Sequence, residues 1–164
     1  MSRAWRVGNA LWLQAGWWGC VLGARHPWLL GLVLAGLLLH LGLCRQRRDE
    51  VRALLTIGIA GCLLDALLGA AGVFDFAQCP LPPWLALLWL VLASGMRHSL
   101  AWLRRPTWLA VLCGALGGPL AYLAGARLTG VGLPLGSVTT ALSLAGIWAV
   151  WLPLCLWLAH PRGT

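Results

Sequence analysis

Few side chains in this sequence can do chemistry, and those that can lie mostly inside apolar runs. Asp65 interrupts Leu63-Leu64 and Ala66-Leu67-Leu68, and Arg97-His98-Ser99 closes another hydrophobic stretch. His40 follows a Leu-rich run, Asn9 and Gln14 sit in the first one, and Tyr122 lies just beyond Gly117-Gly118-Pro119. A carboxylate in hydrocarbon costs at least about 2.5–3.5 kcal/mol unless it is paired or protonated. Asp65 therefore marks a proton or cation site, a catalytic carboxylate, a structural pair, or a protonated hydrogen-bond donor. His98 shares a small, polar helix face with Ser94 and Ala101, which points it inward. Together Asn9, Gln14, His40, Arg97, His98 and Ser99 fit one polar cavity open to the cytoplasm, with Asp65 at its floor. In an enzyme, His98 and Asp65 would serve as general base and orienting acid. Two histidines and a carboxylate also suit a metal. No H-x-x-x-H or E-x-x-H spacing is present, so the sequence assigns neither a metal nor a cofactor.

These residues need a scaffold, and composition dictates its solvent. The chain has 164 residues, 60% hydrophobic and 10% charged, with a mean hydropathy of +0.83. Soluble domains carry about 25% charged residues, so polar surface is too scarce to cover a water-soluble globule, and the solvent is lipid. The net charge of +8 does not describe a nucleic-acid binder, because the arginines flank apolar runs instead of forming one polar face. Six runs approach the roughly 20 apolar residues that a spanning helix needs: about 7–24, 27–44, 53–73, 82–103, 107–126 and 137–159. The expected fold is an all-α, polytopic membrane bundle of six transmembrane helices, forming one domain over residues 1–164.

Arginine placement orients it. With the N-terminus inside, Arg3, Arg6, Arg45, Arg47, Arg48, Arg52, Arg104, Arg105 and Arg162 are cytoplasmic, against Arg25 and Arg127 outside. Both termini are then cytoplasmic, and Asp49-Glu50 belong to a cytoplasmic loop. Cleavage of the first run as a signal peptide is disfavoured by Trp17-Trp18 before Gly19-Cys20 and by the five runs that follow. Trp5, Trp28, Trp84, Trp102, Trp108 and Trp157 fall near span ends, as an interfacial belt does. Of six cysteines, five lie in apolar runs as small hydrophobes, and Cys79 lies in a loop. Arg97 is about seven residues from Arg104, roughly 10 Å inside the boundary, so its long side chain is expected to snorkel or meet a lipid phosphate. Asp65 lies roughly 20 Å deep by the same rise, so direct pairing with Arg97 would need helix tilt to close a depth gap of roughly 9–10 Å.

Small-residue stripes indicate which faces meet, because close backbone approach drives helix association in lipid. They read Ala15-Gly19-Gly23, Gly58-Cys62-Asp65-Gly69-Gly72, Gly114-Gly118-Ala121-Gly125 and Thr139-Ser143-Gly146-Val150. Gly117-Gly118-Pro119 is expected to break its helix, as a kink against a neighbour or as a gate. Tyr122 is placed to hydrogen-bond across the bundle.

The pattern Asn9-x-x-x-x-Gln14-x-x-Trp17-Trp18, then Asp65, His98-Ser99-Leu100, Gly117-Gly118-Pro119-Leu120-Ala121-Tyr122 and Gly125-x-Arg127-Leu128 resembles a bacterial family of small inner-membrane proteins known as domain of unknown function 2878. The resemblance covers nearly the whole chain. It implies a bacterial inner-membrane, multi-pass location and supplies little chemistry. Relatives carry Asn where this chain has Arg97, which implies that His98 is the better site residue and Arg97 peripheral. Relatives are also encoded near enzymes that modify membrane fatty acyl chains. Three function classes follow. The first is a non-catalytic accessory of lipid modification or envelope stress response, holding phospholipid headgroups or lipid-modifying enzymes through Arg97, Arg104 and Arg105. The second is a small proton-coupled carrier or channel using Asp65, for which six helices without an internal repeat imply a homo-oligomer. The third is an intramembrane enzyme using His98 and Asp65.

Overall fold

A computed structural model describes residues 3–76 and 80–160; Cys79 and Arg162 lie outside them. The described chain forms six α-helices: α1 (Arg3–Gly23), α2 (Trp28–Leu43), α3 (Arg47–Ala70), α4 (Pro83–Met96), α5 (Thr107–Thr129) and α6 (Ser137–Leu158). A short 3₁₀ helix, Ala101–Arg104, joins α4 to α5. The fold is all-helical, as composition required. Helices α3, α5 and α6 are each long and apolar enough to cross a membrane, whereas α2 and α4 are shorter apolar helices. Their outer faces are hydrocarbon: Leu11, Leu38, Ile59, Leu63, Leu120 and Leu142 are all more than half exposed. Lipid satisfies such surface at no hydrophobic cost.

Two of the expected boundaries are wrong in an informative way. Helix α3 begins at Arg47, six residues before the apolar run at Ala53, so Asp49 and Glu50 occupy its first turn and not a loop. Carboxylates at a helix N-terminus are favoured by the unpaired N–H groups and the dipole there. In the other direction, α4 stops at Met96 instead of Leu103. The chain then turns through Arg97–Leu100, with the His98 and Leu100 N–H groups both donating to the Gly95 carbonyl.

Packing is tightest where glycine removes side chains. Helices α5 and α6 share the longest contact, and α4 lies between α3 and α1. A Cβ on Gly114 would strike the Trp148 carbonyl, and one on Gly118 would enter the Trp148 ring. Gly61 likewise seats the ring of Trp89. The stripes on α3 and α5 thus face inward in large part. The stripe on α6 does not: Thr139, Ser143, Gly146 and Val150 are exposed, and the buried face runs Thr140, Leu144, Trp148, Leu152. Large side chains win that face because they fill the space that Gly114 and Gly118 vacate opposite. Gly117-Gly118-Pro119 does not break α5, which runs unbroken past the buried Pro119. Helix α5 ends at Gly130, whose φ of 84° is the left-handed conformation glycine adopts freely.

At the end of the bundle away from Arg97, Asp75 and Gly132 exchange backbone hydrogen bonds of 3.0 and 3.2 Å, tying the α3–α4 loop to the α5–α6 loop.

Gly114→Ala should destabilise the bundle by about 1–3 kcal/mol, the range for overpacking, because backbone opposite cannot yield. Gly146→Ala meets open space and should leave the melting temperature in detergent unchanged. Equal melting temperatures for the two variants would contradict this packing.

Candidate functional site

The end of the bundle that carries Trp5, Cys44 and Arg97 encloses a carboxylate. Glu50 is 1% exposed, and each of its oxygens is engaged. His40, in the last turn of α2, donates from Nε2 to Oε1 at 2.9 Å. His98, on the turn after α4, donates from Nε2 to Oε2 at 3.1 Å, and Arg97 Nε lies 3.2 Å from the same oxygen. The Trp5 indole N–H donates to His98 Nδ1 at 3.0 Å. An indole can only donate, so Nδ1 is bare and the proton of neutral His98 sits on Nε2, facing Glu50. Trp5 also stacks on His40, with ring centroids 6.0 Å apart.

Arg97 is spent within the protein. Its guanidinium donates to the Ala159 carbonyl at 3.0 Å and to Gln46 Oε1 at 2.9 Å, and lies 3.5 Å from Asp49. The expectations that it snorkels to lipid phosphate, or is peripheral, are corrected: its side chain is 10% exposed. The physical reason is the buried charge of Glu50, which rewards the guanidinium more than water or a headgroup does.

Cys44 lies just beyond α2, its Sγ 3.5 Å from His40 Nε2 and 3.7 Å from His98 Nε2. Burial first, and then the Glu50 carboxylate, push this thiol up to about 11, against a lowering by Arg97 and Arg47. A cleft of about 670 Å³ opens onto Cys44, Glu50, Arg97 and His98, with Trp5 and Arg45 also lining it.

Asn9 explains why α4 ends where it does. Its Nδ2 donates to the Ser94 carbonyl at 3.1 Å. Its Oδ1 accepts from the Ser99 N–H at 3.0 Å and from Ser99 Oγ at 2.7 Å. In a continuing helix those backbone groups would bond one turn away, so one amide on α1 replaces the helix's own ladder. Trp12 Nε1 adds a bond to Ser94 Oγ at 3.0 Å. This clasp lets residues 97–99 leave the helical path and turns Arg97 and His98 toward Glu50.

Asp65 belongs to a separate centre. It is fully buried and accepts from Tyr122 Oη at 2.7 Å and from Trp89 Nε1 at 2.6 Å. Trp89 is stacked on Trp148, with ring centroids 5.5 Å apart. A mostly apolar cavity of about 380 Å³ adjoins Trp89, Tyr122 and Trp148. Asp65 lies fifteen residues beyond Glu50 on α3, roughly 22 Å by helical rise, with Ile57 and the Gly61–Trp89 contact between them.

The structure thus brings Asn9, His40, Arg97, His98 and Ser99 to one place, as expected, but without the expected floor. Asp65 and Tyr122 form their own site, and Asp65 is not hydrogen-bonded to His98. Gln14 joins neither; it is exposed, beside Trp17 and Trp18 in a shallow groove. Glu50, Cys44 and Trp5 are the members that residue patterns did not point to. The one available signal was a Glu at the fourth position of an Arg-rich segment that starts a helix.

Residues 6–154 match the family described as a protein of unknown function (DUF2878). The chain belongs to this family. No curated protein and no solved structure matches it. The family description supplies no activity, so the chemistry of this DUF2878 member rests on the two centres above.

Asn9→Ala should lower stability by about 1–3 kcal/mol for each backbone group it leaves buried and unpaired. Trp5 fluorescence should change with it, because the turn bearing His98 loses its anchor. A variant with wild-type melting and emission would refute the clasp.

Proposed function

We propose that the protein is a bacterial inner-membrane, multi-pass protein that binds anionic phospholipid headgroups at its arginine-rich end, as a non-catalytic accessory of acyl-chain modification or of the envelope stress response. One observation supports this reading. Arg3, Arg6, Arg45, Arg47, Arg48, Arg52, Arg104 and Arg105 are all exposed, and all lie on segments that meet at the Glu50 end. Among the described residues, only Arg25 and Arg127 lie toward the opposite end. Arginine near a leaflet is worth about 1 kcal/mol each against anionic lipid, and its planar fork suits phosphate oxygens. In this reading the arginine-rich end is cytoplasmic, and so are both termini. Arg97, committed to Glu50, takes no part; Arg45, at the rim of the cleft, takes its place beside Arg104 and Arg105.

A second reading, a proton-coupled carrier, has its support in Asp65. A carboxyl held by Tyr122 and Trp89 beside a cavity has the parts of an exchangeable proton site. Asp65→Asn keeps one acceptor oxygen for the Trp89 indole and turns the other position into an NH2 that the Tyr122 hydroxyl can accept from. It removes the titratable proton and should abolish proton-driven uptake into proteoliposomes. The enzyme reading loses its pairing, since His98 and Asp65 are bound into separate networks.

Replacing Arg45, Arg48 and Arg105 by Gln should weaken the preference for phosphatidylglycerol over phosphatidylcholine by about 3 kcal/mol, roughly 100-fold. Lipid retention measured by native mass spectrometry reads this directly. An unchanged preference in a correctly inserted variant would sink the headgroup reading.

A further inference from the structure

The groups around Glu50 hold more ligand atoms than a hydrogen-bond network requires. His40 Nε2, Cys44 Sγ, a Glu50 oxygen and His98 Nε2 lie within 4.8 Å of one another, and all four residues are buried. We propose that these four side chains form a binding site for one divalent transition-metal ion of the zinc type.

Distances carry the argument first. A tetrahedral ion with bonds of about 2.0–2.3 Å sets its ligand atoms roughly 3.3–3.8 Å apart. Here the sulfur lies 3.5 and 3.7 Å from the two imidazole nitrogens, already at that spacing. The Glu50 oxygens lie closer, Oε1 2.9 Å from His40 Nε2 and Oε2 3.1 Å from His98 Nε2. One Glu50 oxygen stays within 4.8 Å of the other three ligand atoms, so an ion is admitted by spreading the carboxylate from the imidazoles and drawing in the most distant pair. Ligand type carries it second. Two imidazoles, a thiol and one carboxyl select zinc, cobalt or ferrous iron over magnesium or calcium, which take oxygen cages.

The surroundings fit a bound ion. Charge closes within the site: a dication meets one thiolate and one carboxylate. Arg97, already beside Asp49, remains on the outer oxygen of Glu50 as the hydrogen-bonded support that ligating carboxylates have. The cleft bordered by Trp5, Cys44, Arg45, Glu50, Arg97 and His98 gives the ion a way in.

Loading the site rearranges protons in a defined way. The Cys44 thiol releases its proton to solvent as the Sγ–metal bond forms. Each histidine binds through Nε2, and the proton it carried there moves to Nδ1. His98 Nδ1 then becomes a donor facing another donor, the Trp5 indole N–H, so the indole must turn away. Trp5 on His98 is the metal-free arrangement, and Trp5 reports on loading.

The test uses the full chain in nanodiscs, stripped with chelator and titrated with cobalt(II). One cobalt per chain is expected, with tetrahedral visible bands and a thiolate-to-metal charge-transfer band. That band should vanish in Cys44→Ser and persist in Cys20→Ser and Cys155→Ser. Arg97→Gln should weaken cobalt affinity about 10–100-fold, as loss of a supporting contact does. Trp5→Phe, lacking the N–H that opposes the loaded tautomer, should bind at least as tightly as wild type. Substoichiometric cobalt on the wild-type protein, or a thiolate band indifferent to Cys44→Ser, would overturn the proposal. Should Cys44→Ser fail to insert, X-ray absorption of the zinc-loaded wild type decides. One sulfur and two imidazoles support the site; oxygen ligation alone overturns it. None of these readings depends on lipid headgroups, so the proposed function and the metal site stand or fall separately.

Discussion

A single buried carboxylate organises one end of this protein. Removing an ion from water costs several kcal/mol even after relaxation, and Glu50 is almost entirely out of water. The cost is met only if cationic or strongly donating groups reach both oxygens. Three do, from two segments other than its own helix: His40 from α2, and Arg97 and His98 from the turn after α4. That demand explains features that look unrelated along the chain. Helix α3 starts early so that Glu50 meets its partners from a fixed first turn. Helix α4 stops early so that two neighbouring residues both point at one carboxylate, which a regular helix forbids because adjacent side chains diverge by about 100°. Asn9 and Ser99 make that stop affordable in hydrogen bonds.

The second carboxyl shows the contrast. Asp65 shares the inward stripe of α3 with Glu50, yet among the described residues no cation pairs with it. Its partners are an indole and a phenol, both held by stacked aromatic rings. The two acids thus sit in different chemical media on one helix. One is built into an ionic network beside an open cleft. The other is a closed hydrogen-bonded group in the apolar middle. An apolar layer separates them, so no continuous polar path joins the two along the described residues.

The sequence disclosed the parts of this design that hydrocarbon enforces. Apolar runs of helical length required an all-α fold, and Asp65 stood out because its neighbours are all Leu, Ala and Gly. Tyr122 was legible as a cross-bundle donor because it follows Gly118 by one turn. What stayed hidden depended on neighbours in space. Glu50 sits among Arg47, Arg48 and Arg52, where a local reading sees a solvated loop; the positions of α2 and of the turn after α4 make it buried. Cys44 reads as a small hydrophobe because one histidine partner lies a helical turn back on α2 and the other on the turn after α4. Arg97 looked peripheral for the same reason. On α6 the small residues faced outward, because complementarity there depended on the glycines of α5, which no pattern within α6 could show.

The two ends of the bundle are closed by different means. At the Glu50 end, closure is written in side chains, and nearly every position is chemically specific. At the far end, Asp75 and Gly132 join their loops through peptide groups, beside apolar side chains of the same loops packed into the core. A stitch made from backbone does not inspect the residues it joins, apart from the room that Gly132 leaves for Asp75. The backbone stitch itself therefore tolerates sequence drift over evolutionary time, provided that Val73, Phe74, Val131 and Leu133 keep apolar side chains. The near end has no such latitude, and change there must come in matched sets.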